Sequence, residues 1–272
     1  RYRLAGRREM KHILVENLKG VRTLTLNRPE RLNAINDQLS TEIIQAINEG
    51  SADDEVRVIV ITGKGWGFCA GLDLVERSKK DGFSQLSRRE QLDELGWVGH
   101  QALSIINCDK PVIAAINGAA AGAGLALALA CDLRFMASDA KVTTGYIRRG
   151  LSPDGGMTYF LPRLVGMTKA AELIYTGRDI YAEEAEKIGL VNGVFDQEKF
   201  MDKVMDYAIQ LAEGPPIALT YAKRLLVAST ETDLVPLLKQ ELASIKLCFQ
   251  TKDVQEGVRA FAEKRKPIFR GE

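Results

Sequence analysis

Two glycine-rich stretches carry residues whose types and spacing could do chemistry. One is Gly67-Phe68-Cys69-Ala70-Gly71-Leu72-Asp73-Leu74, the other Asn117-Gly118-Ala119-Ala120-Ala121-Gly122-Ala123-Gly124. Each leads directly into a segment of helical character, and N–H groups at a helix start have no acceptor inside the helix. Two such donors converging on one oxygen make an oxyanion hole, and small residues there let a carbonyl come close to the backbone. Taken singly, a Gly/Ala-rich turn more commonly serves close packing than catalysis. A third segment, Pro153-Asp154-Gly155-Gly156, places a carboxylate in a turn. Pro-Asp-Gly is an ordinary turn signature, so the residues alone favour a structural role for it.

The elements that must position these loops alternate along the chain. His12–Glu16 and Val21–Leu26 are β-rich runs separated by Lys19-Gly20, which predicts a hairpin, and Asn27-Arg28-Pro29-Glu30 stops the second strand. Asp37 is expected to cap a helix with Leu39, Ile43, Ile44 and Ile47 on one face, ended by Gly50. Val56–Thr62 reads as a strand covered on both faces, Gly63–Gly71 as a loop, and about Ser87 to Asn107 as one helix. After Lys110-Pro111 come strand Val112–Asn117, a turn, helix Gly124–Ala130 and strand Leu133–Ala137. From about Phe200 the chain reads as helices Met201–Glu213, Pro216–Ala228, Asp233–Phe249 and Val254–Lys264. This is an α/β class with a helical C-terminal layer. The expected division is an extension over residues 1–9, non-native or flexible, a core over 10–199 and a helical region over 200–272, with the native chain starting at Met10.

At 272 residues, 46% hydrophobic and 27% charged, the chain can bury a sizeable core. Its 37 basic and 36 acidic residues leave a formal charge of +1, which offers no broad field to nucleic acid or an anionic membrane. Cys69, Cys108, Cys131 and Cys248 form no CxxC pair and point to a reducing, cytoplasmic setting; with only His12 and His100 present, a histidine zinc site is not expected. Residues 1–9 lack the apolar stretch of a signal peptide. Val112–Cys131 is uncharged and long enough to span a bilayer, but its Ala and Gly bury little area and Asn117-Gly118 breaks it. It reads as a buried strand, a turn and a buried helix. Cys69 reads as a small buried filler rather than a nucleophile.

Taken together and in order, these segments resemble the crotonase (enoyl-CoA hydratase/isomerase) superfamily. The resemblance rests on Leu24-Thr25-Leu26-Asn27-Arg28-Pro29, Val58–Gly63, Phe68–Leu74, Lys110–Gly118, Gly150–Gly156, Leu161–Gly166 and Glu256–Arg265, and runs from about Met10 to the C-terminus. It implies a spiral of ββα units, helical C-terminal trimerisation and often a dimer of trimers. It implies an acyl-CoA thioester substrate, with coenzyme A as part of the substrate and no metal or redox cofactor. The thioester carbonyl would be held by the N–H groups of Leu72 and Ala123. Contacts to the substrate and its coenzyme A would come from Arg31, Ala34, Ala70, Gly71, Asp73, Gly122, Tyr146, Phe261 and Lys264. Trp66, Trp97 and the stretch Glu76–Gly96 would shape the acyl pocket.

The acids decide which reaction is implied. Hydratases of this family use two glutamates, which fall here at Ala126 and Tyr146, and neither can act as a carboxylate base. Asp154 is the acid left at a family catalytic position; isomerases of this type carry one carboxylate there as a proton shuttle. Tyr146 and Phe160 are expected to surround it with apolar surface. The closest pattern is that of the phenylacetate-pathway isomerases acting on epoxyphenylacetyl-CoA and on enoyl double bonds. Alternatives are an enoyl- or dienoyl-CoA hydratase with unusual acids, an enzyme like the 4-halobenzoyl-CoA dehalogenases with His100 near its base position, and a non-enzymatic RNA-binding or scaffold member.

Overall fold

A computed structural model describes residues 5–79 and 87–272; part of the expected Glu76–Gly96 wall therefore lies outside the described residues. Among the described residues eleven strands form two sheets. The larger contains, in spatial order, β1 (Ala5–Glu9), β2 (Ile13–Leu18), β3 (Val21–Leu26), β4 (Val58–Gly63), β6 (Val112–Ile116), β8 (Leu133–Ala137) and β11 (Gly193–Phe195). The smaller runs β10 (Ile180–Tyr181), β9 (Lys141–Thr143), β7 (Ala119–Ala121), β5 (Gly67–Cys69). The expected hairpin is present: β2 and β3 pair antiparallel, and Lys19 and Gly20 both take positive φ (49° and 78°), the turn whose twist suits a hairpin. β3, β4, β6, β8 and β11 are then parallel neighbours. Every residue of β4 and β6 is buried, which is why their sequences run apolar without alternation.

The repeat is simple. The chain crosses the large sheet, steps into the small one and continues into a helix: β4 then β5, β6 then β7, β8 then β9. This is the ββα spiral. Val112–Cys131 is accordingly β6, β7 and the Ala123–Ala130 helix, whose residues are all buried. Among the described residues no helix is long and apolar enough to cross a membrane.

Several expectations need correction. The first long helix is capped by Asn36, whose side chain accepts from Leu39 N, and Asp37 is its first residue; it continues to Ala52 with Gly50 inside it. The stretch Gly63–Gly71 is not all loop, and the turn after β6 contains β7; three-residue strands are too short to show a period. The helix expected over Ser87–Asn107 is broken into Arg88–Leu92 and Gly96–Ile106, because Asp93 Oδ1 accepts from the N–H groups of Leu95 and Gly96 and displaces helical bonding. Residues 5–9, expected as part of an extension, pair with β2. The four C-terminal helices are Phe200–Ala212, Pro216–Ala228, Leu234–Cys248 and Lys252–Ala262, within two residues of expectation.

The sheets and the buried helix meet at Gly124, where a Cβ would stand 2.1 Å from the Cys69 carbonyl oxygen and 2.7 Å from Cys69 Cβ. The helix start is thereby pressed onto β5. Gly124→Ala is expected to destabilise the protein by about 3 kcal/mol or more, read as a shifted urea midpoint; an unshifted midpoint would show that this contact does not set the helix position.

Candidate active site

Two loops come together at the end of the small sheet, each for its own reason. Ala123 is the first residue of the buried Ala123–Ala130 helix, so its N–H has no acceptor in that helix. Leu72 is aimed by a bridge: Ile35 N donates to Gly71 O at 2.7 Å, and Asp73 N donates to Ile35 O at 2.9 Å. In a parallel bridge these bonds belong to the residues flanking Leu72, so its own N–H and C=O turn away from Ile35. On that far side stands the second loop. A Cβ at Gly71, whose φ is 88°, would lie 2.7 Å from Ala121 O and 3.4 Å from Ala123 N. Among the described residues no turn, loop or cap hydrogen bond uses the N–H of Leu72 or Ala123.

Both residues line one cleft of about 1710 Å³, together with Ala70, Gly71, Gly122, Tyr146 and Asp154. Trp97 and His100 line it from the Gly96–Ile106 helix. Tyr146 connects the loop to the acid: its ring carbon Cζ is 3.8 Å from where a Cβ would sit on Gly122, and its hydroxyl donates to Asp154 Oδ1 at 2.6 Å. Burial first, and then the hydrogen bond to Asp154, hold the Tyr146 phenol well above its usual range, so it is the donor in this pair. Oδ2 of Asp154 makes no hydrogen bond among the described residues, and Asp154 lines a cleft that opens to solvent.

The expected apolar enclosure of Asp154 is not found. Asp154 is exposed, and Phe160 lies under Gly156 and edge-on to Tyr159, because its helix turns that face away from the cleft. Ala126, at the first hydratase acid position, is 2% exposed and contacts the turn after Asp154: a Cβ on Gly155 would come within 3.0 Å of its Cβ. Trp66 is 91% exposed and does not line the cleft. Cys69 is fully buried, and burial pushes its thiol up to about 12, as suits a filler.

Other expected contacts are placed elsewhere. Asp73 does not line the cleft; it is 5% exposed, and its carboxylate is taken by Arg28 Nη2 at 2.9 Å. Ala34 is buried, its carbonyl accepting from Arg28. Arg31 is exposed on the Pro29–Arg31 turn, while Phe261 (87% exposed) and Lys264 stand at the outer end of the last helix. None of the three lines the cleft of its own chain.

Arg28, which sequence reasoning passed over, positions the Leu72 loop. Only 7% exposed, it joins Ala34 O, Asp73 and Glu76, and so clamps the segment that carries Ile35 to the loop that carries Leu72. Asp73 Oδ1 in turn accepts from Glu76 N and starts the Leu74–Lys79 helix. Burial pushes the Asp73 carboxyl up, but the Glu76 N–H and Arg28 outweigh it and hold it below the usual carboxylate range. The signal was its place in Asn27-Arg28-Pro29, a segment read as a strand stop and as part of the resemblance, with no role given to Arg28 itself.

Comparison with known proteins identifies the family and the fold. The sequence pattern of the enoyl-CoA hydratase/isomerase family matches residues 16–272. The chain is 36% identical over 267 residues to the 1,2-epoxyphenylacetyl-CoA isomerase of Escherichia coli, covering 96% of this chain and 99% of that one. It is also 36% identical over 263 residues to the 2,3-dehydroadipyl-CoA hydratase of the same organism, covering 96% and 100%. A crystal structure of an enoyl-CoA hydratase from Bacillus anthracis superimposes with a TM-score of 0.88 at 34% identity, covering 96% of this chain and all of that one.

The clamp makes a prediction. Arg28→Met strands a buried carboxylate and is expected to cost about 3 kcal/mol of stability, and to lower turnover more than it raises KM. Because the folded carboxyl of Asp73 is held low, its stabilisation is complete above the unfolded value of about 4 and is lost as pH falls through the folded value. The melting-temperature gap between the natural protein and Asp73→Asn should therefore narrow below about pH 4. A gap constant across that range would dismiss the ion pair as the cause.

Proposed function

The chain belongs to the enoyl-CoA hydratase/isomerase family, and on that premise we propose that it is an acyl-CoA isomerase with Asp154 as its proton shuttle. The observation that carries this reading is the exchange of acids. Ala126 and Tyr146 stand where hydratases need glutamates, while Asp154, bonded by Tyr146, presents a free Oδ2 to the cleft beside both loops.

With a 3-enoyl thioester the step balances as follows. Asp154 takes a proton from C2, and that C–H electron pair becomes the C1=C2 bond of a dienolate whose charge rests on the thioester oxygen. The N–H groups of Leu72 and Ala123 stabilise that oxygen, an effect worth roughly 10²–10³ in rate per donor in comparable sites. Protonated Asp154 then returns its proton at C4, leaving the conjugated 2-enoyl thioester and restoring the base. One carboxylate suffices, and no cofactor enters beyond the coenzyme A of the substrate. The Tyr146 hydrogen bond holds Oδ1 and leaves Oδ2 for the proton transfers.

The C-terminal helices support a trimer or dimer of trimers as the working form, since Leu234, Leu238, Leu242 and Ile245 repeat along one helix and are all exposed in the single chain. Free buried thiols at Cys69, Cys108 and Cys131 support a reducing, cytoplasmic setting. The relatives named as hydratases favour a second reading, water addition with unusual acids.

Incubation with 3-enoyl-CoA in heavy water separates the two. The expected result is double-bond migration with deuterium at C2 or C4, slowed roughly 10²–10⁴-fold by Asp154→Asn. Full isomerase turnover by Asp154→Asn would reject the shuttle, and water addition without migration would favour the hydratase.

A further inference from the structure

Arg134 stands in β8 and is 6% exposed, yet among the described residues no carboxylate forms an ion pair with it. Its guanidinium is given to backbone carbonyls instead. Nη1 donates to Cys131 O at 2.6 Å and, at the limit of bonding, to Leu129 O at 3.5 Å; Nε donates to Leu190 O at 3.0 Å. The neighbouring carboxylate, Asp132, is taken by Lys223 Nζ at 2.8 Å and Val112 N at 2.7 Å. The other buried arginines are paired, Arg22 with Asp53 and Arg28 with Asp73. Burial draws the Arg134 guanidinium below its ordinary value, but arginine keeps its proton in a folded protein. Carbonyls need only a donor, and a buried charge without a partner is costly, so the charge itself calls for a role.

The carbonyls show where that charge acts. Cys131 caps the C-terminal end of the Ala123–Ala130 helix, with its N–H turned back to Ala128 O and its thiol to Leu127 O. Eight residues make about 12 Å of helix, so Arg134 stands at one end of a short rod and the Ala123 N–H at the other. A helix carries roughly half a positive charge at its start and half a negative one at its end. On a surface helix water screens the far end. Here all eight residues are buried, so the negative end works against an anion at the start through the protein interior. A guanidinium on the end carbonyls cancels that opposition and leaves a net positive charge behind the helix.

We propose that Arg134 is a positioning residue for the reaction, its charge acting through the Ala123–Ala130 helix to strengthen the Ala123 N–H as donor to a thioester oxygen that is gaining negative charge. This rests on the reading that places the thioester oxygen at Leu72 and Ala123, and it holds whether isomerisation or hydration follows. The effect is selective for the enolate, because a neutral carbonyl responds little to a charge at that distance and an anion responds fully. One unit charge about 12 Å away in a protein interior corresponds to about tenfold in rate.

Infrared difference spectra of bound butyryl-CoA, labelled with ¹³C at the carbonyl, read this polarisation without turnover. The natural protein is expected to lower the carbonyl stretch from its value in free butyryl-CoA. Arg134→Gln keeps a donor and loses the charge; it should lose part of that lowering. On whichever 2- or 3-enoyl-CoA the enzyme converts, it should also reduce kcat about tenfold with KM within about twofold. Arg134→Lys should stay close to the natural protein in both readings. Arg57→Met controls for lost stability, since Arg57 donates to Ala212 O at the end of the Phe200–Ala212 helix and does not line the cleft; it should leave the stretch unmoved. No lowering in the natural protein would reject the placement of the thioester oxygen, and this role with it. A lowering as large in Arg134→Gln as in the natural protein would reject the role of Arg134 alone. If the glutamine variant does not fold, loss of the lowering in Arg134→Lys, where the charge remains, overturns it equally.

Discussion

The site depends on keeping two backbone N–H groups unpaired and immobile. Protein folds pair nearly every buried N–H, so an open donor must be prevented from finding a partner. At Ala123 the helix itself does this, since its first residue has no acceptor behind it. At Leu72 the means is the bridge to Ile35, which spends the flanking carbonyl of Gly71 and N–H of Asp73 and turns Leu72 the other way. The Arg28–Asp73 pair locks that bridge from below. Removing a paired charge from this interior would leave its partner stranded, which makes the clamp stiff as well as stable.

The rest of the architecture follows from bringing those two groups to the same place. They come from successive turns of the spiral, one after β5 and one after β7, and β5 and β7 are parallel neighbours. Gly71 and Gly124 are points of close approach, one to the Ala121 carbonyl and one to the Cys69 carbonyl. Glycine at each removes the Cβ that would separate the layers, so close packing and the proposed catalytic role of these loops call for the same arrangement. The large sheet supplies the rigidity: β4 and β6, buried on both faces, fix the points from which the two loops depart.

That division explains what could be read from the sequence. Strands β3, β4, β6 and β8 and the C-terminal helices were legible because each is long enough to show composition or period, and the two loops because glycine marks them. β5, β7 and β9 were not, since three residues carry no pattern; their strand character comes from neighbours distant in sequence. The break at Asp93 was hidden because it depends on where one side chain points. Arg28 was missed for a similar reason. A charged residue before a proline looks like surface, and only its burial and partners mark it. Asp73 was drawn to the substrate by its place in the loop motif, and Arg28 holds it instead.

The exposure of Asp154 bears on how one base could serve two carbons on the proposed reading. A carboxylate sealed in an apolar pocket would have its proton affinity set by burial, and a single fixed direction of approach. Asp154 instead has one oxygen held by a buried phenol and the other without a hydrogen bond among the described residues, and it lines an open cleft. The phenol keeps its own proton, so it orients the carboxylate without competing as an acid. Oδ2 can then reach adjacent positions along a bound chain by small torsions, which suits removal at one carbon and return at another. Closure of the cleft by acyl chain and coenzyme A would exclude water around Asp154 only when substrate is present, the condition under which carbanion chemistry most needs it. The proposed reading gives hydration no second acid to share a water's protons, since the two positions that supply it in hydratases hold a methyl and a phenol whose hydrogen bond is already given to Asp154.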